Sequence, residues 1–185
     1  TEDATLGNAA LFSVSSILNF ASCTDHQLVR GRTPSFGDVG VLHSGVGHEC
    51  LGGLLSTSSL LRFARGRGLD LDRIEDLWLP PYDEVSRAEV LDAFTTAIVT
   101  AVSAVAVTLD PESVLFVGRL GPLVEEVLPD VRRRLEAALP TVPEVKVPAQ
   151  VLGLSVARGA VYACLRTARA RVRDSVLEAR RQGTA

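Results

Sequence analysis

The sequence predicts an α/β domain with parallel strands, and three observations support this. An apolar segment at helical spacing begins near Ser86 and ends at the turn Leu109-Asp110-Pro111. The run from Ser113 to Val117 follows directly and is typical of a short, fully buried strand. Gly118 and Gly121 then allow a sharp turn into a second helix. Strands that alternate with helices over short connections favour parallel pairing with right-handed crossovers.

The first third of the chain predicts short elements followed by a loop. We expect a short helix from Asp3 to Phe12, a strand from Ser15 to Ala21 and a second short strand from Gln27 to Val29. The stretch from Thr33 to Glu49 is rich in glycine and predicts a loop. Leu51 to Ala64 has apolar residues at helical spacing and predicts a helix.

The rest of the chain predicts a linker and then a core of helix, strand and helix. Residues 66–85 are interpreted as a linker between residues 1–65 and 86–185 of a single domain. Ser86-Arg87-Ala88-Glu89 has the form of a capping box and predicts the start of the long helix. That helix should end before Pro111, because the residue preceding a proline disfavours the helical conformation. The later elements are a helix from Pro122 to Leu139, a strand around Glu144 to Val147 and a final helix from Leu154 onward.

Composition narrows the classes of function. With 185 residues, 46% hydrophobic and 22% charged, the chain can bury one sizeable core. Its formal charge of −3 gives no general reason to expect nucleic-acid binding, so any DNA contact would come from a region outside this chain. We interpret Arg132, Arg133 and Arg134 as an exposed helix face. The sequence contains no methionine, and we expect it to be part of a longer protein.

Cysteine usage and hydropathy indicate a cytoplasmic protein. The three cysteines, Cys23, Cys50 and Cys164, are an odd number without a secreted spacing pattern, which favours reduced thiols. The apolar run from Ala97 to Val107 has about half of the roughly 20 residues that a membrane span requires. We therefore expect no membrane segment.

Four segments then occur in a fixed order along the chain. They are Glu2-Asp3-Ala4, Gly37-Asp38-Val39-Gly40, the strand and turn from Ser113 to Gly121, and Gly153-Leu154-Ser155. In this order they resemble the carboxy-terminal lobe of the ROK family, which groups bacterial sugar kinases with sugar-responsive repressors. The resemblance implies an actin-like ATPase (ribonuclease H-like) fold.

The resemblance also implies a sugar or effector site. Asp3 stands where the family kinases have the catalytic base, and Glu2 stands in place of the neighbouring asparagine. A base of this kind accepts the proton of the attacking sugar hydroxyl; the alternative for Asp3 is an acid that caps the start of a helix. Asp38 matches the sugar motif, with a turn-forming role as its alternative. His43 is a candidate to reach a sugar hydroxyl, and a plain surface histidine is the alternative.

The nucleotide motifs are degenerate. In the family kinases the amides of a Gly-Thr-Gly-x-Gly hairpin form an anion site. The corresponding stretch of this sequence, Ile17 to His26, contains no glycine. We therefore do not expect this chain to cradle ATP phosphates. Gly118 and Gly121 remain as vestigial nucleotide contacts.

The family's zinc loop is also reduced, to Glu49-Cys50-Leu51-Gly52, and Val41 stands where a ligating histidine is expected. Cys23-x-x-His26 and His48-x-Cys50 offer zinc ligands, but Cys50 also fits a small buried hydrophobe at a helix start. We predict that the chain holds no metal.

These observations predict the effector-sensing and dimerisation domain of a ROK-family transcriptional regulator of sugar metabolism, without kinase activity and without a cofactor. The expected partners are a second copy of the chain, DNA through the region outside it, and a sugar or sugar phosphate. The dimer follows from an apparent surplus of apolar residues on the helix Leu51 to Ala64. The alternatives are a ROK sugar kinase that transfers phosphate from ATP and magnesium to a hexose, and a purely structural dimerisation module.

Overall fold

The fold is a mixed five-stranded sheet with helices that complete one hydrophobic core. A computed structural model of the chain describes residues 7–25, 27–33, 35–80 and 83–148. The strands lie in the order β3-β2-β1-β4-β5. They are β1 (Ala9–Val14), β2 (Leu18–Thr24), β3 (Gln27–Leu28), β4 (Ser113–Val117) and β5 (Glu144–Lys146). β1, β2 and β3 pair antiparallel, whereas β1, β4 and β5 pair parallel. The predicted α/β class with parallel strands is confirmed.

Four helices connect these strands in the described ranges. They are α1 (Leu51–Leu54), α2 (Thr57–Gly66), α3 (Glu84–Leu109) and α4 (Gly121–Ala138). Short 3-10 helices lie at Val39–Val41 and Ile74–Leu77. The predicted loop from Thr33 to Glu49 is confirmed apart from the first of these single turns.

The core forms where α3 and α4 meet one face of the sheet. Phe12 and Phe116 are register partners in β1 and β4, and their rings stack with centroids 5.1 Å apart. By length and composition alone α3 could cross a membrane, but ten of its residues are buried inside the protein. This burial is typical of the central helix of a globular domain.

Two predictions in the first third of the chain are wrong. Ala9–Val14 is a strand rather than the end of a helix from Asp3 to Phe12, because pairing with β2 and β4 on both sides overrides the helix propensity of its alanines. The next strand is Leu18–Thr24 rather than Ser15 to Ala21, since residues 15–17 form the hairpin turn. The short strand at Gln27–Leu28 is confirmed.

The expected single helix from Leu51 to Ala64 is divided in two at Leu55 and Ser56. The break lets three leucines of this region become completely buried, namely Leu54, Leu55 and Leu60. The apparent surplus of apolar residues that predicts a dimer is therefore largely absorbed by the core.

The predicted linker is part of the packed structure. Leu69, Leu71, Ile74 and Leu77 are buried in it, and a 3-10 turn spans Ile74–Leu77. These residues face the common core rather than water, so the stretch does not separate two bodies within the described ranges.

Helix α3 begins two residues before the predicted start. Asp83 is its cap, and the carboxylate accepts a hydrogen bond from the Ser86 amide at 2.8 Å. Ser86 is thus the donor to the cap rather than the cap itself. The helix ends as predicted at Leu109, with Asp110 in the left-handed conformation at φ 45°.

The elements after Pro111 are confirmed within one residue at each boundary. β4 spans Ser113–Val117, α4 spans Gly121–Ala138 and β5 spans Glu144–Lys146. The final helix expected from Leu154 onward lies outside the described residues.

Two arginines fix the helices to each other. Arg87 is buried on α3, donates through Nε to the Leu77 carbonyl and pairs with Glu126 of α4 at 2.6 Å. Arg134, expected on an exposed face, instead bridges α4 to α3 by pairing with Asp92 at 2.5 Å and donating to Thr96 at 3.1 Å. Charged side chains therefore join α3 and α4 at one buried and one partly exposed position.

We expect Arg87→Ala to lower the free energy of unfolding by about 2–3 kcal/mol. Loss of a buried pair costs roughly 3–5 kcal/mol, and the 40% exposure of the Glu126 side chain reduces this value. Urea denaturation measures the change. The control is Arg133→Ala, whose side chain is 71% exposed beside Asp130 and should contribute about 1 kcal/mol or less. Equal losses in the two variants would contradict the structural role of Arg87.

Candidate functional site

The first candidate site lies at the carboxyl ends of β1 and β4. Ligands of α/β proteins bind in the crevice outside the carboxyl ends of parallel strands. Here that edge is built by the hairpin turn of residues 15–17, which follows β1, and by Gly118 and Arg119, which follow β4. The start of α2 is joined to it, because the Thr57 amide donates to the Ser15 carbonyl at 2.8 Å.

Gly118 is required at this edge by its backbone geometry. Its φ is +121°, which side-chain-bearing residues rarely adopt, and a Cβ atom there would lie 2.6 Å from the Val14 carbonyl oxygen. The same atom would lie 2.5 Å from the Ser15 hydroxyl. Gly118 therefore makes the predicted sharp turn directly against another chain segment, the end of β1.

The backbone amides at the start of α4 are occupied by the chain itself. The Arg119 amide donates to the Ser15 hydroxyl at 3.3 Å, and the Leu120 amide donates to the Val14 carbonyl at 3.0 Å. The Gly121 amide donates to the Gly118 carbonyl at 3.0 Å. An anion site at a helix start depends on amides that point freely at the ligand, and these three do not.

An ion pair lies at the same edge of the sheet. Arg119 reaches Glu75 of the Ile74–Leu77 turn, with its Nε 2.6 Å and its Nη2 2.5 Å from the Oε1 atom. Arg73 lies 3.4 Å from the other carboxylate oxygen. A cavity of about 210 Å³ remains beside the pair. It is lined by Thr57, Ser58, Leu61, Asp72, Arg73, Ile74 and Arg119.

The environment of Glu75 favours its ionised form. Partial desolvation raises the pKa of this carboxyl. A hydrogen bond from its own backbone amide and the neighbouring Arg119 guanidinium lower the pKa by more than desolvation raises it, so the net pKa lies below 4.5. Glu75 is therefore a fixed negative charge at neutral pH, and it holds the Arg119 side chain against the edge of the sheet.

The second candidate site is the glycine-rich loop. Asp38 is exposed and directly precedes the 3-10 turn Val39–Val41. Behind it two backbones approach closely, since a Cβ atom on Gly52 would lie 3.2 Å from the Gly40 carbonyl oxygen. Glu2 and Asp3, the other carboxylates predicted for this site, lie outside the described residues.

His43 is exposed, and both of its ring nitrogens bond to the backbone of its own loop. Nε2 lies 2.9 Å from the Gly47 carbonyl oxygen, and Nδ1 accepts from the Gly45 amide at 3.0 Å. The structure thus places His43 in the predicted loop with its polar atoms already engaged.

The candidate zinc ligands within the described residues lie in β2 and in the loop that precedes α1. Cys23 is half-buried in β2, and Cys50 is exposed rather than buried as a small hydrophobe. His26 lies outside the described residues. Within the ranges that the structure describes, no group of three His, Cys, Asp or Glu side chains could hold a metal ion.

Sequence reasoning missed Arg119 and Glu75. Arg119 stands between Gly118 and Gly121, in the turn that the sequence singles out. Glu75 carries no comparable signal, because it lies in the stretch that we interpret as a linker and pairs with Arg119 across 44 positions of sequence.

Comparison with known proteins establishes the fold. No family model and no curated protein matches the sequence, but solved structures do. One is a Listeria monocytogenes protein provisionally named an N-acetylmannosamine kinase, with a TM-score of 0.70 and 19% identity over 88% of this chain and 58% of that one. Another is a ROK family glucokinase from Streptomyces griseus in complex with glucose and AMPPNP, with a TM-score of 0.61 and 16% identity over 80% of this chain and 57% of that one.

A third is a ROK family transcriptional regulator homologous to the Mlc protein of E. coli, with a TM-score of 0.58 and 17% identity over 76% of this chain and 41% of that one. The chain spans about half the length of these proteins. It has the actin-like ATPase fold of the ROK sugar kinases, as the resemblance predicts.

We expect Gly118→Ala to destabilise the protein by about 2 kcal/mol or more, because the new methyl group meets backbone atoms that cannot move freely. Thermal or urea unfolding provides the measurement. Gly66→Ala is the control, since no atom lies within 4 Å of its added Cβ and alanine is favoured over glycine in helices by about 0.5–1 kcal/mol. A neutral Gly118→Ala would show that β1 and β4 do not approach as described.

We also expect Glu75→Gln to remove an acid-sensitive part of the stability. Because the folded pKa of Glu75 is lowered, the stabilisation is complete above about pH 5 and is lost as the pH falls through the range below 4.5. Urea unfolding of both proteins between about pH 6 and about pH 3 should show the difference shrinking toward acid.

The control for this experiment is Glu89→Gln, which removes a 3.2 Å pair between half-exposed side chains of Arg67 and Glu89. Such a pair should change the stability by about 1 kcal/mol or less. A difference between the native protein and Glu75→Gln that grows toward acid would reverse the sign and refute the proposed environment of Glu75.

Proposed function

We propose that this chain is the effector-sensing domain of a ROK-family transcriptional regulator and that it has no sugar kinase activity. The observation that carries the proposal is the internal hydrogen bonding of the edge formed by the carboxyl ends of β1 and β4. There the hairpin turn, the start of α4 and the Arg119–Glu75 pair bond to one another.

A phosphate site needs donors that are free in the absence of the ligand. In glycine-rich anion sites successive backbone amides point into one concavity, and the energy of phosphate binding comes from pairing them. The amides of Arg119, Leu120 and Gly121 already have acceptors in this chain. A triphosphate would have to displace these bonds and would gain little in exchange, which supports loss of the kinase reaction.

A sugar effector does not require a set of free backbone amides, as a phosphate does. Sugar hydroxyls are recognised by carboxylates that accept hydrogen bonds, and such charge-assisted bonds contribute about 1.5–3 kcal/mol each. The Asp38 side chain is exposed just before the turn Val39–Val41, and its carboxylate has no hydrogen-bond partner within the described residues. It is therefore available as one acceptor, and we propose Glu2 and Asp3 as its companions.

The partners follow from the proposed class. Regulators that bind palindromic operators match them with two-fold symmetry, so we propose a homodimer that reaches DNA through a region outside this chain. The burial of Leu54, Leu55 and Leu60 means that this symmetry, rather than an apolar surplus on one helix, supports the dimer. We propose a cytoplasmic location, no cofactor and no resident metal.

The test compares catalysis with binding in the full-length protein. We expect no phosphorylation of a panel of hexoses with ATP and magnesium, whereas calorimetry should detect binding of at least one hexose. Asp38→Asn should weaken that binding by roughly 10- to 100-fold, as expected for one charge-assisted hydrogen bond.

The matched control is Asp70→Asn, which changes another exposed aspartate and should leave the affinity within about twofold. Turnover near about 10 per second would instead establish the sugar kinase. Absence of binding for every sugar would favour a domain that serves dimerisation alone.

A further inference from the structure

We propose that His43 is a positioning residue of the effector site, which closes the loop of residues 42–51 through both ring nitrogens and does not contact the ligand. The inference rests on the proposed function only where it names the site as an effector site. It differs from the role of sugar contact that the sequence suggests for this residue.

The chemistry of the two partners fixes the state of the imidazole. The Gly47 carbonyl can only accept, so the proton lies on Nε2 at 2.9 Å from it. The Gly45 amide can only donate, so Nδ1 at 3.0 Å is unprotonated and accepts. A neutral imidazole has one donor and one acceptor, and the loop uses both.

The loop that His43 closes has a conformation that favours glycine. Both of its hydrogen-bond partners have positive φ, +85° at Gly45 and +49° at Gly47. Isolated segments with two such residues have many alternative conformations. Two bonds from one rigid ring select a single conformation among them.

The closed loop is also attached to helix α3 and to its own far end. The Thr100 hydroxyl donates to the Ser44 carbonyl at 3.0 Å. Ser44 is fully buried, and its amide and hydroxyl donate to the Glu49 carbonyl at 2.9 and 2.8 Å. The loop is therefore supported from below by the core helix, while His43 closes it from the exposed side.

The closed loop fixes the position of Asp38 through the backbone. The Leu51 amide donates to the Leu42 carbonyl at 2.7 Å, so the two ends of the loop are joined. One end continues back through the turn Val39–Val41 to Asp38, and the other continues into α1, where Gly52 lies against Gly40. A loop that opens would release the turn that presents the Asp38 carboxylate.

The first arm of the test measures the loop without any ligand. Nitrogen-15 spectra of the histidine side chains in the full-length protein should show His43 neutral, with its proton on Nε2. In His43→Ala the Gly45 amide should exchange its hydrogen about fivefold faster or more, which corresponds to the loss of one ordinary hydrogen bond.

A conservative variant distinguishes the hydrogen-bonding role of His43 from the loss of its side-chain volume. In His43→Asn the side-chain oxygen can accept from the amide two residues on, as asparagine does in turns, so the Gly45 amide should remain protected. His48→Ala is the control, because His48 is exposed in the same loop and has no hydrogen bond within the described residues. It should leave the exchange unchanged.

The second arm measures the affinity of the full-length protein for the hexose panel, by calorimetry. We expect His43→Ala to weaken binding by about fivefold and His43→Asn to restore most of it. If both variants abolish binding while the Gly45 amide stays protected, His43 contacts the sugar and the proposal is wrong. A proton on Nδ1 would also overturn it.

The two arms distinguish the two proposals. If the native protein binds no sugar, the proposed function fails and with it the effector role of the loop. The assignment of His43 as the residue that closes the loop is decided by the exchange and nitrogen spectra alone.

Discussion

The parallel pairing of β1 with β4 is the constraint on which the rest of the structure depends. Five register pairs join strands that lie about a hundred positions apart in sequence, from Ala9 with Ser113 to Ser13 with Val117. Such a pairing closes a long loop, and the entropy of closure must be offset by the contacts it creates. The Phe12 and Phe116 rings stack across it, and α3, which lies between the two strands in sequence, buries ten residues in the core. Gly118 completes the arrangement, because only a residue without a side chain can turn the chain so close to Val14.

The same pairing determines the chemistry of the edge. It brings Ser15 to Arg119 although 104 positions separate them, and it directs the start of α4 toward the end of β1. In a phosphate-binding protein this geometry would present free amides to the ligand. Here the acceptors are Val14, Ser15 and Gly118, and Glu75 pairs with the Arg119 side chain of the turn. The polar groups of the edge are thus satisfied within the chain, which supports the proposed loss of kinase activity.

The parts of the fold that local signals determine could be predicted from the sequence, and the parts that depend on distant partners could not. β4, α4 and the end of α3 have their boundaries marked by Asp110-Pro111 and by Gly118, and the structure places them as predicted within one residue. β1 has no such signal, because Ala9 and Ala10 favour a helix until two neighbouring strands are present.

The start of α3 shows an intermediate case: Asp83 and Ser86 are both good caps, and only the geometry shows which accepts. Asp38 and His43 could be located in a loop, but the bonds of the His43 ring depend on the φ of Gly45 and Gly47 and could not be inferred.

The loop of residues 42–51 is attached to helix α3, whereas the edge at β1 and β4 is bonded within itself, and this difference supports the proposed role as a sensor. The loop of residues 42–51 rests on Thr100 of α3, and one turn earlier Thr96 accepts a hydrogen bond from Arg134 of α4. A displacement of the loop on ligand binding would therefore act on both long helices through named hydrogen bonds. Coupling of this kind requires only that the ligand bind two arrangements with different affinity, and it needs no free phosphate site. The internally bonded edge at β1 and β4 is consistent with that role, because a domain that reports on a ligand needs a rigid part against which the loop can move.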